Sequence, residues 1–432
     1  MKSLILFLVL FAPAFQGQRN TASEMLAKAS RLGDLKSAET LVSSGVDPNL
    51  PDQYGRTPLY YAALFNRNDV AALLLAHRAD PNIQAHSGAP GTGLGFPQTP
   101  LQIAASMGNL HMASMLIAAG ARADAKTETG HTALYFAVIG GHLDVIRLLI
   151  QKGTDVNIRD AEGTSPLDDA VWRGYLEATA ILLANGARPN EAETKTGATP
   201  INEAAYRSKT QLVRYLLRFN PDLRTADKRG RTPLENAIQM GNADAALLLL
   251  EAAGQEQKTP EFLNRMLGAA IRKDASAVVE ALLQDGAGAN DILSSGATPL
   301  DAAASAGAAN VLRVLLDSGA DPNRIGRNRT SPLEDASLKG FDVIAEMLVD
   351  HGALVNQVNI GSGTTALYAA AAFGKSGVAT LLLTRGADPN LCGKGHKTSY
   401  QAALDNGFTE VAMQIQRHGG SSVCKPERTG VE

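Results

Sequence analysis

Apolar and polar positions along the chain fall into two helical textures that recur together. The clearest copy of the first is Gly55-Arg56-Thr57-Pro58-Leu59-Tyr60-Tyr61-Ala62-Ala63, in which Leu59, Ala62 and Ala63 lie at helical spacing. Thr57 can cap such a helix through its hydroxyl, and Pro58 suits the first helical position, where its missing N–H costs nothing. The two alanines let another backbone come close. The second texture is rich in paired leucines, as in Val145-Ile146-Arg147-Leu148-Leu149 and Val311-Leu312-Arg313-Val314-Leu315-Leu316. Tight turns such as Met107-Gly108-Asn109, Gly140-Gly141-His142 and Lys339-Gly340-Phe341 separate the two. The second helix stops at a glycine, as at Gly120, Gly153, Gly186, Gly319 and Gly386, where a left-handed cap carries little strain. A turn follows: Asp47-Pro48-Asn49, Asp80-Pro81-Asn82, Asp321-Pro322-Asn323 or Asp388-Pro389-Asn390. Asp and Asn are expected to bond their own backbone there, and Pro fixes φ.

With Thr57 as a marker, equivalents fall at Thr99, Thr132, Ser165, Thr199, Thr232, Asn264, Thr298, Ser331, Thr365 and Thr398, and an earlier copy begins at Glu24. Most intervals are 33 or 34 residues, one is 32 and one is 42, which gives about twelve units between residues 22 and 422. Helices of about 8 to 10 residues are too short to be stable alone. Neighbouring units must therefore stack and bury their Leu and Ala faces between them, which predicts an all-α repeat solenoid.

This period, with T-P-L-x-x-A-A, a glycine turn, a V-x-x-L-L helix and G-A-D-P-N, resembles the ankyrin repeat over nearly all of residues 19–422. The resemblance implies helix-turn-helix pairs stacked into a curved array, with β-hairpin fingers projecting from the turns. No copy has the family's His after T-P-L; that place holds Tyr60, Gln102, Tyr135, Asp168, Asn202, Glu235, Asp301, Glu334 and Tyr368. The inter-repeat hydrogen bonding expected of that His must then be replaced or absent. The first and last units carry charges that suit end caps. Residues 86–96 read as an exposed insertion in a finger. The unit at 253–284, the seventh counting from Thr57, is irregular: Thr259-Pro260 precedes the expected cap, which predicts a first helix longer by about a turn, a lost finger and a candidate hinge.

Composition changes the picture at the chain ends. Lys2, the apolar run Leu4 to Phe11 and Ala12-Pro13-Ala14 read as a signal peptide over residues 1–18, and the run is too short to span a bilayer. The mature chain is expected to be exported, periplasmic or secreted, monomeric and free of further membrane segments. A net charge of −3 gives no reason to expect nucleic acid or a membrane surface as partner. Residues 423–432 read as a tail. Cys392 and Cys424 fall in near-equivalent places of successive repeats, so a disulfide and two inert thiols are both open readings.

Little here promises chemistry. His86 to Gly95 has the glycine spacing of a phosphate loop through Gly88 and Gly93, but Leu94 and Gly95 stand where Lys and Ser or Thr are needed. The eight histidines form no metal spacing. Asp168-Asp169 and Glu334-Asp335 sit in first helical turns, where carboxylates complement the dipole. Asn328-Arg329-Thr330 is a glycosylation sequon, meaningful only in a eukaryotic secretory pathway. No catalytic residue, cofactor or metal is expected.

The residues following each Ala pair carry the individuality: Leu64-Phe65, Ser106-Met107, Ile139-Gly140, Trp172-Arg173 and Tyr206-Arg207, then Gln239-Met240, Ile271-Arg272, Ser305-Ala306, Leu338-Lys339 and Ala372-Phe373. In ankyrin-like stacks these places face the concave groove. Several are apolar or aromatic and include the chain's single Trp, and Trp, Tyr and Arg are typical binding hot spots. Leu64, Phe65, Met107, Ile139, Trp172, Arg173, Tyr206 and Arg207 are therefore the expected protein-binding residues, against the plainer reading that they pack on neighbouring fingers. The expected function is a non-enzymatic scaffold for a protein partner; the alternative is a secreted effector or toxin component acting on another cell.

Overall fold

The computed structural model describes residues 12–85, 97–327 and 329–424. The apolar leader run, the 86–96 insertion with its phosphate-loop-like glycines, Asn328 of the sequon and most of the tail lie outside the described residues. The chain divides into two compact units, Met1–Gly230 and Arg231–Glu432. The division falls upstream of the irregular 253–284 unit.

Unit 1 contains six helix pairs: α1 (Ala12–Leu32) with α2 (Leu35–Ser43), α3 (Pro58–Leu64) with α4 (Asn68–Ala76), α5 (Pro100–Ser106) with α6 (Leu110–Ala118), α7 (Ala133–Gly140) with α8 (Leu143–Gln151), α9 (Pro166–Arg173) with α10 (Leu176–Ala184), and α11 (Pro200–Tyr206) with α12 (Thr210–Leu216). Unit 2 holds six more: α13 (Pro233–Gln239) with α14 (Ala243–Ala252), α15 (Pro260–Ile271) with α16 (Ser276–Gln284), α17 (Pro299–Ala306) with α18 (Ala309–Asp317), α19 (Pro332–Lys339) with α20 (Asp342–Asp350), α21 (Ala366–Ala372) with α22 (Ser376–Thr384), and α23 (Ser399–Asp405) with α24 (Thr409–Arg417). Within each unit every first helix packs on the next first helix. The core between them is the Ala and Leu face read from the pattern: Leu59, Ala62, Ala63, Leu149, Leu167 and Ala170 are all 0–1% exposed.

The caps form as the sequence dictates. Thr57 Oγ1 accepts from the Tyr60 amide at 3.2 Å, and Pro opens most of the first helices. Thr199 is an exception, with no side-chain cap bond. The family's missing His is replaced in three ways. Gln102, Asp168, Glu235, Asp301 and Gln401 close reciprocal capping boxes with the hydroxyl three residues earlier. Gln102 and Asn202 also reach the following repeat, through Nε2 to the Ala125 carbonyl at 2.8 Å and Nδ2 to the Thr225 carbonyl at 2.9 Å. Glu334 does so as an acceptor, from Ser362 Oγ at 2.6 Å and Thr364 Oγ1 at 2.5 Å.

Two expectations are corrected. The turn segments form no strands among the described residues. The described fingers are instead tight turns closed by one or two backbone bonds: Thr127 N donates to His131 O (2.9 Å) while Gly130 N donates to Thr127 O (2.9 Å), and Leu293 N donates to Ala297 O (2.9 Å) while Gly296 N donates to Leu293 O (2.8 Å). A further single bond joins some neighbouring fingers, as from Ala161 N to Thr129 O at 2.9 Å. The arms are too short to build a ladder. Second, the turn Asp bonds its own backbone (Asn49 N to Asp47 Oδ1, 2.9 Å), but the turn Asn does not act only locally. Asn49 donates to the Arg78 carbonyl at 3.1 Å and accepts from the Asp80 amide at 2.7 Å, clamping the next repeat. Asn82, Asn157, Asn290, Asn323, Asn356 and Asn390 repeat this double bond.

The clamp lapses where the residue changes, at Asp124 and Arg224, and at Asn190 only its acceptor half forms, from the Asp222 amide at 3.2 Å. In the irregular unit, α15 runs 12 residues from a Thr259 cap, and Gln255–Gln257 forms a 3₁₀ turn in place of the finger.

Candidate protein-binding face

The first helices of unit 1 end at a surface. Phe65, Met107 and Trp172 are 42%, 44% and 47% exposed there. Leu64, Ile139 and Tyr206 are half-buried, and Arg173 and Arg207 are exposed. All eight expected residues thus occupy matching ends of five consecutive first helices. Their side chains do not all behave alike. Phe65 and Met107 present bare apolar surface, whereas Trp172, Arg173, Tyr206 and Arg207 are part of a network.

Trp172 sits in the last turn of α9, which Gly174 ends in a left-handed cap (φ +81°). The Arg207 guanidinium from the next repeat lies 4.3 Å from the Trp172 ring centroid, and that of Arg173 lies 5.5 Å away. Arg207 is held by an ion pair with Glu203, one helical turn earlier. The Arg229 guanidinium stands 5.3 Å from the Tyr206 ring centroid. Lys209 crosses above Gly174, where a Cβ would stand 3.0 Å from its Cε. A guanidinium over a ring face is attracted by the ring quadrupole. Arg229 and Lys209 were missed by a reading confined to helix ends, because one lies in a finger and the other in the turn between helices.

A cluster of buried acids lies beneath this region. The Asp168 carboxylate accepts from the Ser165 amide at 2.9 Å and its hydroxyl at 2.7 Å. Burial nevertheless pushes its pKa up to about 6. Asp169 is raised to about 7, chiefly by burial and then by the charge of Asp160. Burial and the charges of Asp169 and Asp160 push the Tyr135 hydroxyl up to about 12. His131 lies flat on Tyr135 with ring centroids 3.7 Å apart, and its Nε2 is 3.5 Å from Asp160. Burial lowers its pKa, against the pull of that carboxylate. The first-turn acids are therefore more than solvated complements to a helix dipole. Stacking of the next unit desolvates them, which also raises Asp301 and Asp335 in unit 2 to about 6.

The structure joins Cys392 to Cys424, with Cα atoms 5.2 Å apart. Thr398 Oγ1 bonds the Ser421 carbonyl at 2.6 Å beside it. Among the described residues no three of His, Cys, Asp and Glu are placed to share a metal ion, and no helix is long and apolar enough to cross a membrane.

The family "Ankyrin repeats (3 copies)" matches residues 2–85, 87–160, 167–261 and 262–326, and "Ankyrin repeat" matches 362–394. The human cyclin-dependent kinase inhibitor 2A is 32% identical over 118 residues, 27% of this chain and 70% of that protein. The Xenopus tropicalis neurogenic locus notch homolog protein 1 is 34% identical over 117 residues, 27% of this chain and 4% of that protein. The mouse 2-5A-dependent ribonuclease is 36% identical over 80 residues, 18% of this chain and 11% of that protein. The last two matches take in only a small part of those proteins' length. Members of the family are typically non-enzymatic interaction modules, and the all-helical stack, the matched segments and the shared repeat grammar agree: the chain belongs to the ankyrin-repeat family.

Proposed function

We propose that the chain is an exported, non-enzymatic scaffold that grips a protein partner with the first-helix face of unit 1. Trp172, Arg173, Tyr206 and Arg207 form the centre of that surface, and Leu64, Phe65, Met107 and Ile139 extend it. One observation carries the reading: a half-exposed Trp172 fixed against Arg207 across a repeat boundary, with their ring and guanidinium 4.3 Å apart. A preordered Trp–Arg pair loses little side-chain freedom on binding, which is what favours such residues as anchors. A kinase inhibitor among the relatives is, by its name, a protein that acts on another protein, which is consistent with this role. Export rests on the leader over residues 1–18 and places the mature chain in the periplasm or outside the cell, as a monomer without a cofactor.

Affinity capture from the compartment where the chain resides, compared with the Trp172→Ala/Tyr206→Ala double variant, tests the surface. Capture of the partner should fall at least about tenfold while far-UV helicity is unchanged. Undiminished capture would remove the surface from consideration. Fractionation of the producing cell tests export separately.

A further inference from the structure

We propose that the Trp172 patch takes an acidic peptide segment, one in which carboxylates alternate with apolar side chains. This rests on the reading of the unit 1 face as the binding surface and adds the chemistry of its occupant. Four cations frame two aromatic rings here. Arg173 and Arg207 attend Trp172 at 5.5 and 4.3 Å, and Arg229 attends Tyr206 at 5.3 Å. Lys209 lies over Gly174, next in sequence to Arg173.

Arg173, Lys209 and Arg229 form no ion pair among the described residues, and Arg229 shares one side-chain hydrogen bond with Tyr206, which leaves the rest of its guanidinium to an occupant. Arg207 spends only its Nε on Glu203, so its Nη1 and Nη2 groups are unbonded among the described residues. A guanidinium stacked on a ring keeps its in-plane N–H fork open, and that fork matches a carboxylate in geometry and charge. The exposed ring of Trp172 offers apolar area between the forks. An occupant that satisfies both must carry separated negative charges with an apolar residue between them.

A continuous polyanion fits less well. Asp227 and Glu203 lie close enough to Arg229 to act on its charge, so a nucleic-acid backbone would meet both signs within one patch. The chain as a whole carries a net charge of −3, which also disfavours non-specific polyanion binding. A short acidic segment can set single carboxylates on Arg173 and on the Nη edge of Arg207, whose Nε is already paired with Glu203, without running a continuous charge past Asp227.

The test begins with a random dodecapeptide display library panned on the full chain, with counter-selection on the Trp172→Ala/Tyr206→Ala variant. Peptides retained by the first and lost by the second should be enriched in Asp and Glu. Enrichment in neutral or basic peptides would overturn the acidic occupant and leave the surface standing. Finding no peptide that the variant loses would overturn both. Binding of a selected synthetic peptide can then be followed by the emission of Trp172, the chain's single tryptophan and hence a reporter of this patch alone. Arg173→Gln, Arg207→Gln and Arg229→Gln should each weaken it by about three- to tenfold, as should Glu→Gln changes in the peptide. Equal affinity after those changes, or displacement by equimolar oligothymidylate, would overturn the proposal.

Discussion

Among the described residues, units 1 and 2 are each built on six α-helix pairs, and they spend their unrepeated positions differently. In unit 1 the first-helix ends read Phe65, Met107, Ile139, Trp172 and Tyr206, an apolar series that closes on arginine-stacked rings. In unit 2 the corresponding pairs are Gln239-Met240, Ile271-Arg272, Ser305-Ala306, Leu338-Lys339 and Ala372-Phe373. Met240 and Phe373 are 46% and 54% exposed, but between them Ile271 is buried and Leu338 half-buried, and no ring there carries a stacked arginine among the described residues. Every cation–π pair among the described residues falls in unit 1. Unit 2 carries somewhat more of the devices that hold repeats together, with four full Asn clamps among the described residues against three in unit 1 at Asn49, Asn82 and Asn157. Its clamps run from Asn290 to Asn390, and a disulfide ties its last repeat. One scaffold can therefore carry a surface tuned for recognition in one half and a reinforced stack in the other. Nothing in the helix-forming letters has to change.

The largest expected effect asks whether the halves stand apart energetically. Phe136 is 1% exposed and belongs to the core of unit 1. Phe136→Ala should cost about 3–5 kcal/mol through lost burial and a cavity. In a quasi-one-dimensional array such damage stays with its neighbours. Amide exchange should therefore rise across α5 to α12 and change little across α17 to α24. A uniform rise over both units would break the distinction. Next in size is the end staple. Reducing the Cys392–Cys424 link, which closes a loop with a sequence separation of 32, should cost about 2–4 kcal/mol. The loss should appear as exchange confined to α23 and α24, and an unchanged exchange pattern would show that the link contributes nothing to the stack.

Much of the fold was legible because its signals are local. A hydroxyl, then Pro, then Leu and paired Ala fixes a helix start within a few residues, and a 33-residue recurrence multiplies that signal. What was not legible depends on residues a whole repeat away. Asn49 reads as a turn residue bonding its own backbone, since its partners Arg78 and Asp80 are about thirty positions on. Asp168 and Asp169 read only as first-turn acids that complement a helix dipole, because the layer that buries them belongs to other repeats. Trp172 and Arg207 could be picked out by reading one column through the repeats. Arg229 and Lys209 could not, since each enters the patch from outside that column.

The buried acids give a pH test in both units, largest at Asp169 in unit 1. Burial raises the Asp169 pKa from its ordinary 3.8 to about 7, so the folded state holds its proton more tightly. Its contribution to stability is fully present below about pH 3.8 and is lost as pH rises through about 7. Asp169→Asn removes that loss. The variant should be more stable than the parent by on the order of 2 kcal/mol at pH 8, with the difference shrinking towards zero at pH 4. Urea melts at the two pH values check this. A gain that did not vary with pH would mean that burial of the charge is not what destabilises the site. Asp335, raised to about 6, should give a smaller response over a lower window in unit 2.

The smallest effect bears on why unit 2 is the better clamped half. Asn323 donates to the Gly352 carbonyl at 3.0 Å and accepts from the Leu354 amide at 2.8 Å. Both bonds are solvent-exposed, so Asn323→Ala should cost about 1 kcal/mol rather than the larger penalty of a buried orphan. Asp124 offers the converse, since it stands in unit 1 where the clamp residue belongs. A carboxylate can accept the next repeat's amide but cannot donate to its carbonyl. Asp124→Asn supplies the missing donor and should add about 0.5–1 kcal/mol. If the clamp is a transferable device, the two changes will move urea midpoints in opposite directions with the slope unchanged. Pro before the Asn is not required, since Val156-Asn157 and Ala289-Asn290 form the full clamp. If Asp124→Asn gives nothing while Asn323→Ala costs its share, the difference lies in how closely the following repeat approaches residue 124 rather than in the asparagine alone.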